Sequence, residues 1–337
     1  MINRSNLFMA FGILSITFIG LAQSSDVVNL AVSMDLPSDA TSDQVNASKA
    51  ELLNIFNAAS VHKLDWTIFV TREAADKAGN SLATFFTGMG GISGEIELGI
   101  TGDANEMLSS KSYSEQKAML EETKTFTEDC KICGVNEVKI SGFMPESFDQ
   151  NEDTYKVIDD LGIEYNAGFQ AGIISLPGHE ADVWPYKIEN HKFYAVPIST
   201  YMLSGELVPL DDSYAKDNGI SSSQWKDMLI GKLDEISGKD EPMVISLSTS
   251  ISGSGEYLDA LEEFMAYASS AGAQFVLTRD LVEMSKTGIH ASPEGSTESI
   301  AQDEGNETTV SESDCPACDS EMLPYSNETA SNDTVFL

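Results

Sequence analysis

The side chains of this 337-residue chain that are placed to do chemistry fall into three groups. Asp35 closes an apolar run from Val27 to Met34, so its carboxylate sits where a strand ends, where it caps a loop, contacts Thr101 across a groove or holds a ligand. The segment from Glu95 to Asn105 reads as a strand running into the kind of turn that often precedes a metal site. Its i, i+4 pair is Thr101 and Asn105, an alcohol and an amide, neither of them a good zinc ligand. The third group lies in Pro177-Gly-His-Glu-Ala-Asp182-Val-Trp184, a long connection over what should be the open face of the fold. There His179, Glu180 and Asp182 could converge on a metal, or the loop is an ordinary surface segment. Trp184 and Tyr186 offer rings that stack on a sugar face or pack in a core. The other histidines, His62, His191 and His290, add no pair at helical spacing.

The four cysteines form two pairs, Cys130-Lys-Ile-Cys133 and Cys315-Pro-Ala-Cys318. Four thiolates suit a tetrahedral structural zinc. In an exported chain the alternative is disulfides, either within each pair or tying the tail to the loop after a helix at 113–127. Redox use of the thioredoxin kind needs the motif at a helix start just after a strand, and Cys130 follows a helix instead.

The elements that must position these residues alternate in type. Strand patterns are expected at Val27–Met34, Trp66–Val70, Glu95–Ile100, Glu137–Ser141, Phe193–Pro197, Met243–Leu247 and Gln274–Leu277. Helical patterns lie between them at Gln44–Ala59, Ser114–Phe126, Thr154–Leu161, Ser222–Ile236 and Tyr257–Ala271, several led by a capping residue. Such alternation predicts an α/β fold with crossover connections and a parallel sheet or barrel, whose site forms at the carboxyl ends of the strands. The glycines of Gly88–Gly94 precede a strand and open no helix, so they predict a turn and no nucleotide loop.

The ends of the chain differ from its middle. Arg4, the apolar stretch Leu7–Leu21 and Gly20-Leu-Ala22 have the form of a signal peptide over residues 1–22, too short an apolar run for a membrane span. No later segment is apolar enough to span. From about Ala291 onward there is no Lys or Arg, and acidic, Ser, Thr and Asn residues predict a disordered tail over 289–337. Sequons at Asn46, Asn306, Asn327 and Asn332 fit an exported glycoprotein, secreted or held at the cell surface. A formal charge of −35 argues against nucleic acid and anionic membranes as partners.

Over roughly Asp26 to Lys286 the order of segments resembles the polysaccharide deacetylase (NodB-homology) family. The resemblance rests on Val28-Asn-Leu-Ala-Val-Ser-Met-Asp35, Trp66-Thr-Ile-Phe-Val70, Glu95-Ile-Glu-Leu-Gly99 and Tyr113-Ser-Glu-Gln-Lys117. It continues in Gly142-Phe-Met-Pro-Glu-Ser-Phe148, Tyr155-Lys-Val-Ile-Asp-Asp-Leu-Gly162, Val244-Ile-Ser-Leu-Ser248 and Ala271-Gly-Ala-Gln-Phe-Val-Leu277. It implies a distorted (β/α)7 barrel over 26–288.

The resemblance also implies a site. Asp35 holds the position of the family's base, while the adjacent aspartate that ligates metal is replaced by Leu36. Thr101 and Asn105 stand where the family has two histidine ligands. Met144 stands in place of the arginine that orients the base, and Ser248 in place of the histidine acid. Metal-assisted hydrolysis needs about three protein ligands and a positioned acid, so these departures imply a non-catalytic protein. Its expected role is to bind an extracellular or envelope glycan through Thr101, Asn105, Met144, Trp184 and Ser248, or to serve as a scaffold. The alternative is a hydrolase with a rebuilt site that removes N- or O-acetyl groups. No cofactor is expected, with zinc at the cysteines left open, and the oligomeric state is not legible.

Overall fold

The computed structural model describes residues 26–79, 94–104, 107–129 and 139–288. The expected signal segment, the acidic tail, Asn105 and all four cysteines lie outside them, as do three of the sequons. Asn46 is exposed in the first turns of a helix.

The strands are β1 (Val27–Met34), β2 (Trp66–Val70), β3 (Ile96–Ile100), β4 (Gly142–Phe143), β5 (Tyr165–Gln170) and β6 (Tyr186–Lys187). They continue as β7 (Tyr194–Ile198), β8 (Thr200–Leu203), β9 (Glu206–Pro209), β10 (Met243–Ser248) and β11 (Gln274–Phe275). Seven of them run parallel in the order β10-β1-β2-β3-β4-β5-β7. β6 adds antiparallel to β7, β11 pairs with β1, and β8 and β9 form a separate hairpin. The sheet curls until β7 and β10 meet. Ser199 N donates to Val244 O at 2.9 Å, and Ser246 N donates to Leu210 O at 2.9 Å.

The helices cover the outside. They are α1 (Ser42–His62), α2 (residues 72–79), α3 (Tyr113–Glu128), α4 (Glu152–Leu161), α5 (Asp212–Asp217), α6 (Ser222–Ile236), α7 (Thr249–Ser252), α8 (Gly255–Ser270) and α9 (Thr278–Thr287). Capping boxes start α1 at Thr41 and Gln44, α3 at Ser112 and Glu115, α4 at Asn151 and Thr154, and α6 at Ser221 and Gln224. Each satisfies two otherwise orphaned N–H groups.

Strand alternation separates two cores. Val28, Leu30, Val32 and Met34 of β1 face the helices, whereas Val27 and Ala31 face the barrel interior with Phe69, Tyr165, Val196, Val244 and Val276. The fully buried Trp225, Phe264 and Leu233 seal the helical layer, each burial stabilising by roughly 1.5–3 kcal/mol. Gly99 is required where it stands, because a Cβ there would meet the Phe69 ring at 2.5 Å.

The two ends of the barrel are built differently. At the amino end α9 acts as a plug. Asn29 Nδ2 donates to Val276 O (2.8 Å), Thr278 N donates to Thr67 Oγ1 (2.9 Å), and the Glu97 carboxylate accepts from Thr67 Oγ1 (2.9 Å) and Arg279 N (3.0 Å). Glu97 thereby supplies the cap that Leu277 cannot. At the carboxyl end the inward rows of β1, β3 and β10 run on to Asp35, Thr101 and Ser248.

Several expected elements are displaced. The strand expected at 137–141 is the two-residue β4 at Gly142–Phe143, and residues 139–141 precede it without regular structure. β5, the hairpin, α5 and α7 were not anticipated. All six residues of β5 (Tyr-Asn-Ala-Gly-Phe-Gln) are buried, so it shows no alternation; its polar Asn166 is satisfied by Gln150 Oε1 at 2.6 Å. The 177–184 connection leads to Tyr186, which packs on the outward Phe169 at 6.1 Å between ring centres.

Candidate functional site

The carboxyl end of β1 delivers Asp35. It follows Ser33 on the inward row, and Ser33 Oγ donates to Asp35 Oδ2 at 2.7 Å. The other carboxylate oxygen, Oδ1, is covered and has no hydrogen-bond donor. Facing it is Glu146, which the chain presents immediately after β4 through a tight turn. Ser147 and Phe148 adopt left-handed φ of 52° and 57°, a costly conformation for side-chain-bearing residues.

The Glu146 carboxyl lies within hydrogen-bonding reach of Asp35. Burial, then the charge of Asp35 and the contact with it, and then the charge of Asp211 push the Glu146 carboxyl up to about 8. Burial also raises Asp35, outweighing the hydrogen bonds from Ser33 and Glu146 that act the other way. Two acids this close cannot both ionise cheaply, so the pair holds a proton at neutral pH.

Two more carboxyls close the site from the side of β10. Asp211 caps α5 by accepting from Tyr214 N at 2.6 Å, and its residue bridges to Ser246. Asp212 is completely buried. Its oxygens accept from Ser248 N at 2.9 and 3.0 Å, and one of them from Ser252 Oγ at 2.7 Å. Burial first, and the Asp211 charge second, hold the Asp212 carboxyl well above its ordinary range.

The residues predicted from sequence divide into two sets. Asp35, Thr101, Met144 and Ser248 are all brought to the carboxyl end of the barrel. Thr101 and Met144 are buried there, 1% and 6% exposed, and Ser248 Oγ pairs with Ser250 Oγ at 2.9 Å. Trp184 is not with them. Its Nε1 donates to Asp240 O at 3.1 Å, three residues before β10 begins, and the next residue's carbonyl accepts from Ser285 Oγ of α9. Val28 pairs with Met243 at that end of β1, so about 23 Å of strand separates Trp184's level from Asp35. The expected stacking residue is part of the amino-end closure.

His179, Glu180 and Asp182 do not converge on a shared point. His179 Nδ1 pairs with Asp182 Oδ2 at 2.6 Å, its ring stacks on Tyr186 at 4.1 Å, and Glu180 accepts from Gly178 N. Among the described residues no group of three or more His, Cys, Asp or Glu side chains is disposed to hold a metal.

A catalytic divalent metal of the sort the resemblance implies does not suit these residues. Leu36 is 3% exposed within the helical core, and its backbone is tied to Thr71 Oγ1. Thr101 and Ser248 offer hydroxyls, and Asp35 already shares its carboxylate with Ser33 and Glu146. Sequence reasoning did not select Glu146, Asp211 or Asp212. The sequence signal for Glu146 is the acid itself, two residues beyond Met144.

No protein-family model and no curated protein matches the sequence. Solved structures are similar to it. A protein described as a polysaccharide deacetylase from Mycobacterium smegmatis superposes with a TM-score of 0.57 at 14% identity, over 81% of this chain and 94% of that one. Another so described, from Pseudomonas aeruginosa PAO1, gives 0.60 at 13% identity over 80% and 93%. Puue allantoinase gives 0.60 at 14% identity over 81% and 94%. The fold is therefore that of the NodB-like deacetylases, a distorted (β/α)7 barrel.

Proposed function

We propose that this is an exported, polysaccharide-deacetylase-like protein of carbohydrate metabolism or the cell envelope, which holds a glycan at the carboxyl end of its barrel without metal-assisted hydrolysis. The observation that carries the proposal is the pairing of Asp35 with Glu146. A base that activates metal-bound water must be free to take a proton, and this one faces an acid across a shared proton. Leu36, Thr101 and Ser248 leave the family's ligand and acid positions without a carboxylate or an imidazole. Structural neighbours described as polysaccharide deacetylases support a saccharide as the ligand.

Glycan-array binding of the full chain, with metal-supplemented acetate release from acetylated amino-sugar polymers, tests the proposal. Binding lost in Asp35→Ala with no acetate released is the expected result. Acetate release that depends on a stoichiometric divalent metal would overturn it. A second function is favoured by the same pair, since a protonated Glu146 beside Asp35 is an acid next to a base. Acetate release that survives chelation and disappears in Glu146→Gln would establish that hydrolase with a rebuilt site.

A further inference from the structure

At the carboxyl end of this barrel lies a set of carboxyls with no cation paired to them among the described residues. Asp35, Glu146, Asp211 and Asp212 gather there from the ends of β1 and β4 and the start of α5. The groups acting most strongly on each are hydroxyls, backbone N–H groups and other carboxyls, with no Lys, Arg or His among them. Asp212 is fully occupied by Ser248 and Ser252. Asp35 is not, because its covered Oδ1 meets no N–H or hydroxyl donor, and beyond Ser33 its carboxylate has only the proton shared with Glu146. Glu146, half-buried and followed by the exposed Ser147, is the member of the set that a ligand reaches.

We propose that the ligand group this site accepts is a protonated primary amine carried on a sugar, so that the site selects de-N-acetylated amino sugars over their acetylated forms. The inference rests on the saccharide assignment proposed above and names which saccharide.

An ammonium group carries both things the site lacks, a positive charge and several N–H donors. Entering beside Glu146, it takes the place of the shared proton. Before binding, the pair carries one proton and one negative charge. Afterwards both carboxylates are ionised against the ammonium, and the proton leaves to solvent. An acetamido group brings no charge to offset the carboxyls and sets a methyl among them. Sugar hydroxyls would add hydrogen bonds but no charge. Charge-assisted hydrogen bonds of this kind are worth enough to separate amine from acetamide by roughly tenfold or more in affinity.

Titration calorimetry of the full chain with a β-1,4-linked glucosamine tetramer and its N-acetylated counterpart tests this, in two buffers of different ionisation enthalpy near neutral pH. The expected result is at least about tenfold tighter binding of the amine, with about one proton released. Glu146→Gln, a neutral isostere, should remove that preference. The wild-type comparison of the two sugars stands whether or not the variant folds. If the acetylated tetramer binds as tightly or more tightly, the inference fails while the saccharide assignment stands. If neither tetramer binds, both fail. Equal binding of tetralysine, or amine binding abolished by a chelator, would also overturn it.

Discussion

Glu146 meets Asp35 carboxyl to carboxyl at the open end of the barrel, on the spot where the fold's resemblance would place a base beside a metal. The two acids hold a proton in common. Glu146 stands at the turn after β4, whose next two residues, Ser147 and Phe148, are left-handed.

The proton has a stability consequence whose sign is fixed. Glu146 is raised from an ordinary 4.5 to about 8, so folding favours its protonated form. That contribution is fully present below about pH 4.5 and is lost as the pH rises through about 8. The groups facing it are Asp35 and Asp211, themselves raised, which act in the same direction. Wild-type stability should therefore fall between pH 5 and 8. Glu146→Gln should recover about 1–2 kcal/mol of that fall, allowing for screening at a half-exposed group. Urea melts of both proteins at pH 5 and pH 8 measure it, and parallel pH profiles would count against a shared proton.

Leu36→Asp would restore the family's adjacent aspartates in sequence, but in this fold it places a carboxylate in a core site 3% exposed. Thr71 Oγ1, the polar atom beside it, is already engaged with Leu36 N and O. The expected result is a loss of about 2–4 kcal/mol and no gain of bound zinc. Chemical denaturation and metal analysis of the purified variant check both halves. A variant that kept its stability and took up stoichiometric zinc would show that the site accepts the ion after all.

Trp184→Ala separates the two ends of the barrel. The ring packs with Tyr194 and Met284 against the interior cluster, and its Nε1 holds Asp240 O. Truncation should cost about 2–3 kcal/mol in stability and leave glycan affinity within about twofold. A melting curve and a glycan titration on the same preparation distinguish this from a ligand-stacking role, in which affinity would drop first.

What could be read from sequence followed where a buried strand is largely apolar. β1, β2, β3 and β10 carry apolar residues on the helix-facing row, and their ends were placed almost to the residue. β5 is buried on both faces and includes Asn166 and Gln170, so neither alternation nor an apolar run marks it. β4 has only two paired residues, too few to leave a pattern. At the site, Asp35, Thr101 and Ser248 were legible because the family resemblance sets them at the ends of strands whose apolar runs mark them. Glu146 and Asp212 were not, because a left-handed turn and a six-residue helix set their directions, and neither has a period.

Asp212 supplies the last test, because its two oxygens serve Ser248 N and Ser252 Oγ at once and nothing else described replaces them. Asp212→Ala leaves a buried N–H and a buried hydroxyl without an acceptor, and each such orphan costs about 1–3 kcal/mol. Asp212→Asn keeps one carbonyl oxygen toward Ser248 N, and it removes a carboxyl that burial and Asp211 hold well above its ordinary range. The asparagine variant should therefore be the more stable of the two by at least about 1 kcal/mol. It should also ease ionisation of Asp211, whose charge presses on Glu146 in turn. Urea melts order the two variants. If alanine proves no worse than asparagine, the hydrogen bonds to Ser248 and Ser252 do not hold α5 and α7 to the end of β10.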